Sequence, residues 1–166
     1  KPEGRLEPLT RGYRVPQQVL DFANLLLPHI APGVSPASSV RRGVGSLDVR
    51  PDGDPVTAVQ DALRREGSIG VIVAEPDADA LAKALRDKGI AADRLDADSE
   101  DVDARVEVVP ATLAKGLEYD HVVVVEPAAI VRAEPRGLRR LYVVLTRAVT
   151  TLTVVHAEPL PPELAA

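Results

Sequence analysis

Cysteine, methionine and tryptophan are absent from this chain, and the aromatic complement is three Tyr and one Phe. Without cysteine there is no disulfide framework and no thiolate metal site. That fits a reducing compartment, and a cytoplasmic location is expected. No apolar run approaches the length of a membrane span and no secretory leader is visible, so no membrane partner is expected. So few rings leave no stacking platform of the kind that grips single strands. Positive charge is also in deficit: 20 Lys and Arg face 25 Asp and Glu, a net charge of −5, so no overall field draws the domain onto nucleic acid. There is no G-x-x-x-x-G-K-[ST] loop to cradle β- and γ-phosphates, and no evident acidic pair at a strand end to hold magnesium. The three histidines, His29, His121 and His156, lack metal-ligand spacing. The chain opens at Lys1 without any Met, and is expected to be a piece of a longer protein.

What remains is enough for one domain with a sizeable core, at 166 residues. Residues 1–12 read as an extended lead-in. Pro16 can sit in the first turn of a helix whose apolar period is Val19, Phe22, Ala23, Leu26 and Leu27, ended by Pro28 and Pro32. Residues 31–43 form a Pro/Ser/Gly loop before a short strand over Gly45–Val49. Asp54 can cap a helix over 55–66. The apolar run Ser68–Ala74 has the pattern of a strand covered on both faces. A helix follows Pro76-Asp77, with Leu81, Ala84 and Leu85 inward and Gly89 as its stop, then a weak strand over Ile90–Leu95. The acidic stretch Asp93–Asp103 reads as an exposed loop. Strands follow over Arg105–Pro110 and Val122–Val125. Leu138, Leu141, Tyr142 and Leu145 recur at helical spacing, and the strand Leu152–Val155 comes directly after. Helices alternating with buried strands predict an α/β fold, a mostly parallel sheet with helices on both faces. The tail from Pro159 is expected to be extended or disordered.

Three stretches place charged residues beside buried elements, at a sheet edge where ligands bind in open α/β folds. Tyr13-Arg14 opens the first helix, Lys115-Gly116-Leu117-Glu118 precedes a strand, and Arg147 follows a helix. Gly116 lets backbone approach a ligand, Glu118 can accept from a hydroxyl, and two guanidiniums match phosphate oxygens. Arg147 is expected to point off the scaffold, partly exposed. Taken singly, each residue has a plainer role: Arg147 as a cation at a helix C-terminus, Glu118 as a solvated carboxylate, Tyr142 as core.

In sequence order, Tyr13-Arg14, Ala114-Lys115-Gly116-Leu117-Glu118-Tyr119-Asp120 and Leu141-Tyr142-Val143-Val144-Leu145-Thr146-Arg147-Ala148 resemble motifs IV, V and VI of superfamily 1 helicases of the UvrD/Rep type. The resemblance runs from Leu9 to His156. It implies a three-layer RecA-like domain, the second motor domain or 2A, over residues 1–158, with 159–166 as a tail. The wording of Pro110–Ile130 is most similar to the HelD-like proteins, motors that act on bacterial RNA polymerase. On this resemblance Tyr13 would stack on the adenine of ATP, and Arg14 and Arg147 would reach the γ-phosphate as arginine fingers. Glu118 would contact the ribose, Gly116 would allow backbone approach and Lys115 would lie near the phosphates. ATP and Mg2+ would be held together with domain 1A of the same polypeptide.

The chain departs from the family pattern in two places. DNA translocases carry a Thr and a His just before Ala-Lys-Gly that touch the DNA. Pro110 and Thr112 stand there in this chain, leaving Thr112 as the nucleic-acid candidate. The interval from Arg14 to Lys115 has no room for the accessory 2B domain of the unwinding enzymes. Three functions follow as expectations: half of a motor acting on RNA polymerase, the same half of a DNA helicase or helicase–nuclease, or a non-catalytic RecA-like binding module.

Overall fold

The computed structural model describes residues 15–33, 46–96 and 104–164. The first helix, expected to be continuous, is two. Helix α1 spans Gln17–Asn24 and α2 spans Leu27–Ile30. Pro28 does not end a helix but sits in the first turn of α2, where its missing N–H costs nothing. Then come β1 (Leu47–Pro51), α3 (Pro55–Leu63), β2 (Ile69–Val73), α4 (Ala78–Asp87) and β3 (Ala92–Arg94). After these follow β4 (Val106–Pro110), β5 (Tyr119–Val125), α5 (Pro127–Arg132), α6 (Gly137–Leu145) and β6 (Ala148–His156).

Local chemistry accounts for most boundaries. The Asp54 carboxylate accepts from the Val56 and Thr57 amides and starts α3 behind Pro55. α3 stops at Leu63, short of the expected 66. At its end the guanidinium of Arg105 donates to the carbonyls of Leu63 (3.3 Å), Arg65 and Gly67 (2.8 Å). In α4 the buried positions are Ala78, Leu81, Ala82 and Leu85; Ala84, expected inward, is exposed. α5 went unforeseen: it is one and a half turns long, too short to show a period, and follows a left-handed Glu126 at φ 55°. The Glu126 carboxylate accepts from the Ala157 amide at 2.8 Å and the Glu158 amide at 3.2 Å, which holds that turn. The tail is not loose either. Residues 162–164 make a 3₁₀ turn, and Leu164 is buried in the core.

The six strands form one all-parallel sheet in the order β1-β6-β5-β2-β4-β3. The fold class is α/β, as the pattern predicted. Every residue of β2 is buried, as expected of a central strand covered on both faces. One face packs Ile72, Val122, Val124, Leu152 and Val154 under α1, α2 and α6. The other packs Ile69, Val71, Val123, Val125 and Val155 under α3 and α4.

Candidate functional site

Only two residues, Thr146 and Arg147, separate α6 from β6, so the helix end and the amino end of the strand share one corner. The same corner receives the chain just before β5, because the Tyr119 amide donates to the Arg147 carbonyl at 3.0 Å. Glu118 and Arg147 are thereby brought side by side by adjacent parallel strands, although 29 positions apart.

Arg147 does not point off the scaffold. Its Nε donates to the Val143 carbonyl (2.9 Å), Nη1 to the Leu117 carbonyl (3.2 Å) and Nη2 to Thr146 Oγ1 (3.3 Å). Thr146 Oγ1 itself donates to the carbonyls of Tyr142 and Val143, both at 3.0 Å. No glycine closes this helix; two side chains do. A guanidinium carries five N–H groups. Three are engaged among the described residues, leaving one on each terminal nitrogen for a ligand. Burial pushes the Arg147 pKa down, while the charge of nearby Glu118 holds it up. The group stays cationic, since a guanidinium does not deprotonate in proteins.

Gly116 adopts φ 85° in the return that leads to β5, a left-handed conformation that favours glycine, and a Cβ there would meet open space. The requirement is therefore conformational rather than steric. Lys115, Gly116 and Glu118 are exposed around this turn, and the Leu117 carbonyl ties it to Arg147. Thr112 is exposed just past the carboxyl end of β4. Tyr13 and Arg14 lie outside the described residues, as do Glu100, Asp101 and Asp103 of the acidic run.

The edge itself needs correction. The general rule places ligands outside the carboxyl ends of parallel strands, at the point where connections leave to opposite faces. Here that point lies between β2 and β5, since α4 and α6 cover opposite faces. The first charged residues after those strands are Glu75 and Glu126, carboxylates ill suited to phosphate. Glu118 and Arg147 precede β5 and β6, at the opposite, amino-terminal edge.

Three features escaped sequence reasoning. Thr146 anchors Arg147, and its signal was only its place beside that arginine. Tyr119 reaches over Gly70 of β2 to donate to Glu107 Oε1 of β4 at 2.7 Å, which no spacing rule reveals. His121 is buried between Thr151 Oγ1 (2.8 Å) and the Glu66 carbonyl (2.9 Å), a structural role. Tyr142 is core, its hydroxyl donating to Asn24 Oδ1 at 3.2 Å. Among the described residues no group of three or more His, Asp or Glu is placed to hold a metal ion, and no helix is long and apolar enough to cross a membrane.

Residues 106–155, which run from β4 through β6 and include every described candidate residue, match the model of the UvrD-like helicase C-terminal domain. Among solved structures, the C-terminal domain of a possible DNA helicase from Lactobacillus plantarum WCFS1 is 28% identical, with a TM-score of 0.68 and 92% of each chain covered. Arterivirus nonstructural protein 10, a helicase, is 17% identical in its complex with DNA, at a TM-score of 0.45 over 68% of this chain and 28% of that one. Without DNA it is 16% identical at 0.47. Likeness at that level carries no argument. No curated protein matches the chain in sequence.

Proposed function

We propose that the chain is the C-terminal RecA-like domain, 2A, of a UvrD-like superfamily 1 motor, and that it completes an ATP site shared with a domain 1A. The observation that carries this reading is the corner at the amino edge. A cationic Arg147 with two N–H groups to spare stands beside Glu118 and the Gly116 turn, inside the segment matched to the helicase family. Arg147 would reach the γ-phosphate across the cleft when the two domains close, with Arg14 beside it and Tyr13 against the adenine. Glu118 would accept from the ribose, Gly116 would admit the phosphate chain and Lys115 would lie near it. Mg2+ would come with domain 1A. Magnesium there would neutralise the β- and γ-phosphate oxygens. Making hydrolysis wait for Arg147 couples chemistry to domain motion.

The bonds Arg147 already makes set a condition on this reading. Part of its grip on Val143 and Leu117 must survive, or be exchanged for phosphate, as the site closes. The parent is proposed to be HelD-like and to act on RNA polymerase, given Pro110 and Thr112 in place of the DNA-contacting pair. Likeness to a possible DNA helicase favours a second reading, a DNA motor with Thr112 on the strand. ATPase assays of a parent protein containing this domain and a 1A domain separate these: RNA polymerase should stimulate turnover under the first, single-stranded DNA under the second. In either, Arg147→Ala should lower kcat by about 10²–10⁴, shifted below the ~10³–10⁵ of arginine fingers because Arg14 remains. Full activity in that variant would make Arg147 a structural cation at the end of α6 rather than an arginine finger.

A further inference from the structure

Four arginines fall within residues 132–140 of a chain whose net charge is −5. Two are spent on carboxylates. Arg132 holds Glu158 in a two-pronged pair at 2.6 and 3.1 Å, and Arg140 holds Glu134 at 2.9 Å. The other two are not. Arg136 has no partner among the described residues, and Arg139 gives one N–H to the Ile30 carbonyl at 3.0 Å, which clips α6 to α2. Both line a cleft of about 460 Å³ between α2 and the turn into α6, with His29 beside them and Ile30, Val131 and Leu138 as an apolar wall. The volume falls within the ~300–1,000 Å³ of small-ligand sites. The cleft lies at the far end of α6 from Arg147, roughly 13 Å away along the helix.

We propose that this cleft binds a nucleoside phosphate, the phosphate on Arg136 and Arg139 and the base against Ile30, Val131 and Leu138. Guanidiniums match phosphate oxygens in paired hydrogen bonds. The one carboxylate of the α5–α6 turn, Glu134, is consumed by Arg140, and among the described residues no carboxylate pairs with Arg136 or Arg139. An acidic peptide would satisfy the arginines but leave the apolar wall and the imidazole uncovered. A nucleotide uses both halves of the cleft. Its source is either a free mononucleotide or one unit of a single strand, and the chemistry is the same. None of these residues belongs to the Arg147 corner, so this site stands or falls independently of the ATP-sharing function.

The test is residue-resolved NMR on the isotope-labelled chain, titrated separately with 5′-AMP, a 12-nucleotide oligo-dT, inorganic phosphate and a hexaglutamate peptide. Amide shifts are expected at His29, Arg136, Gly137, Leu138 and Arg139 with AMP or the oligonucleotide, with affinity at the weak, ~10⁻⁴ M end of non-specific binding. Response to AMP as strong as to the oligonucleotide assigns a free nucleotide; a stronger response to the oligonucleotide assigns a strand. Arg136→Gln, which disturbs no contact among described residues, should weaken binding about 10-fold, the loss of one charge-assisted contact. Arg136→Glu with Arg139→Glu should abolish it. Equal shifts from inorganic phosphate or hexaglutamate would overturn the proposal, as would shifts confined to the Leu117–Arg147 corner or unchanged affinity in Arg136→Gln.

Discussion

At the scale of single residues, Arg147 carries two duties that its sequence position cannot separate. Its three hydrogen bonds close the end of α6 and tie down the turn before β5. A side chain left free in solvent would be cheap to remove. This one is not: Arg147→Ala should cost about 1–3 kcal/mol from lost charge-assisted bonds and orphaned carbonyls. For a domain of this size that lowers the melting temperature by several degrees, about 2–4 °C per kcal/mol. Differential scanning fluorimetry on the chain, beside the kcat assay on a parent protein, reads both duties in one variant. A melting point unmoved by the substitution would mean these bonds contribute nothing. Tyr119 offers a pH test. Burial first, then its bond to Glu107, raises the pKa of its phenol well above the ordinary value near 10. Above pH 10 the unfolded chain releases a proton that the folded one retains, so stability is whole below that pH and falls as pH rises. Tyr142, raised by burial, acts in the same direction. Urea midpoints measured from pH 8 to 11 should therefore drop, and Tyr119→Phe should flatten the drop. Parallel profiles in the two proteins would dismiss Tyr119 as the cause.

Among elements, β2 is where the sheet depends on one missing side chain. The Tyr119 ring crosses β2 over Gly70, and a Cβ built at Gly70 would lie 2.4 Å from it. Neither partner has room to yield: the ring is fixed by Glu107 and β2 is buried on both sides. Gly70→Ala should destabilise by about 1–3 kcal/mol, the usual cost of overpacking a filled core. Urea unfolding followed by circular dichroism measures it, and a Tyr119→Leu background should recover part of the loss. α6 shows a different dependence. Its two ends serve two sites, the Arg136–Arg139 cleft and the Arg147 corner. Its middle, Leu141, Tyr142, Val144 and Leu145, is buried and fixes the orientation of both.

For the whole molecule, net charge and sheet polarity act together. With charge −5 and Glu75 and Glu126 following the central strands at the carboxyl edge, the long-range field opposes a polyanion. Fluorescence anisotropy at physiological salt should give single-stranded DNA affinity weaker than micromolar for the isolated chain. That is compatible with one nucleotide held in the α2–α6 cleft and not with an extended track. Lacking a phosphate-cradling loop, the isolated chain should also show no ATP turnover above background in a steady-state assay. Micromolar binding, or turnover near that of a complete motor, would mean that a strong site exists elsewhere on the chain.

Hydrophobic period and punctuation alone determined the α/β class, the succession of the six strands along the chain and the caps at Asp54 and Gly89, because those depend on neighbours in the chain. The same local signals located the Lys115–Glu118 and Arg147 stretches. They failed where a partner distant in sequence decides. α3 is cut short by Arg105, Ala84 faces solvent because Ala82 meets the sheet, and the tail folds back through Leu164. Only the parallel pairing of β5 with β6 sets Glu118 beside Arg147, and only the strand direction decides that they meet at the amino edge. A side chain's type is local information. Which carbonyls its hydrogen bonds reach, and how many N–H groups remain for a ligand, is set by chain segments far apart in sequence.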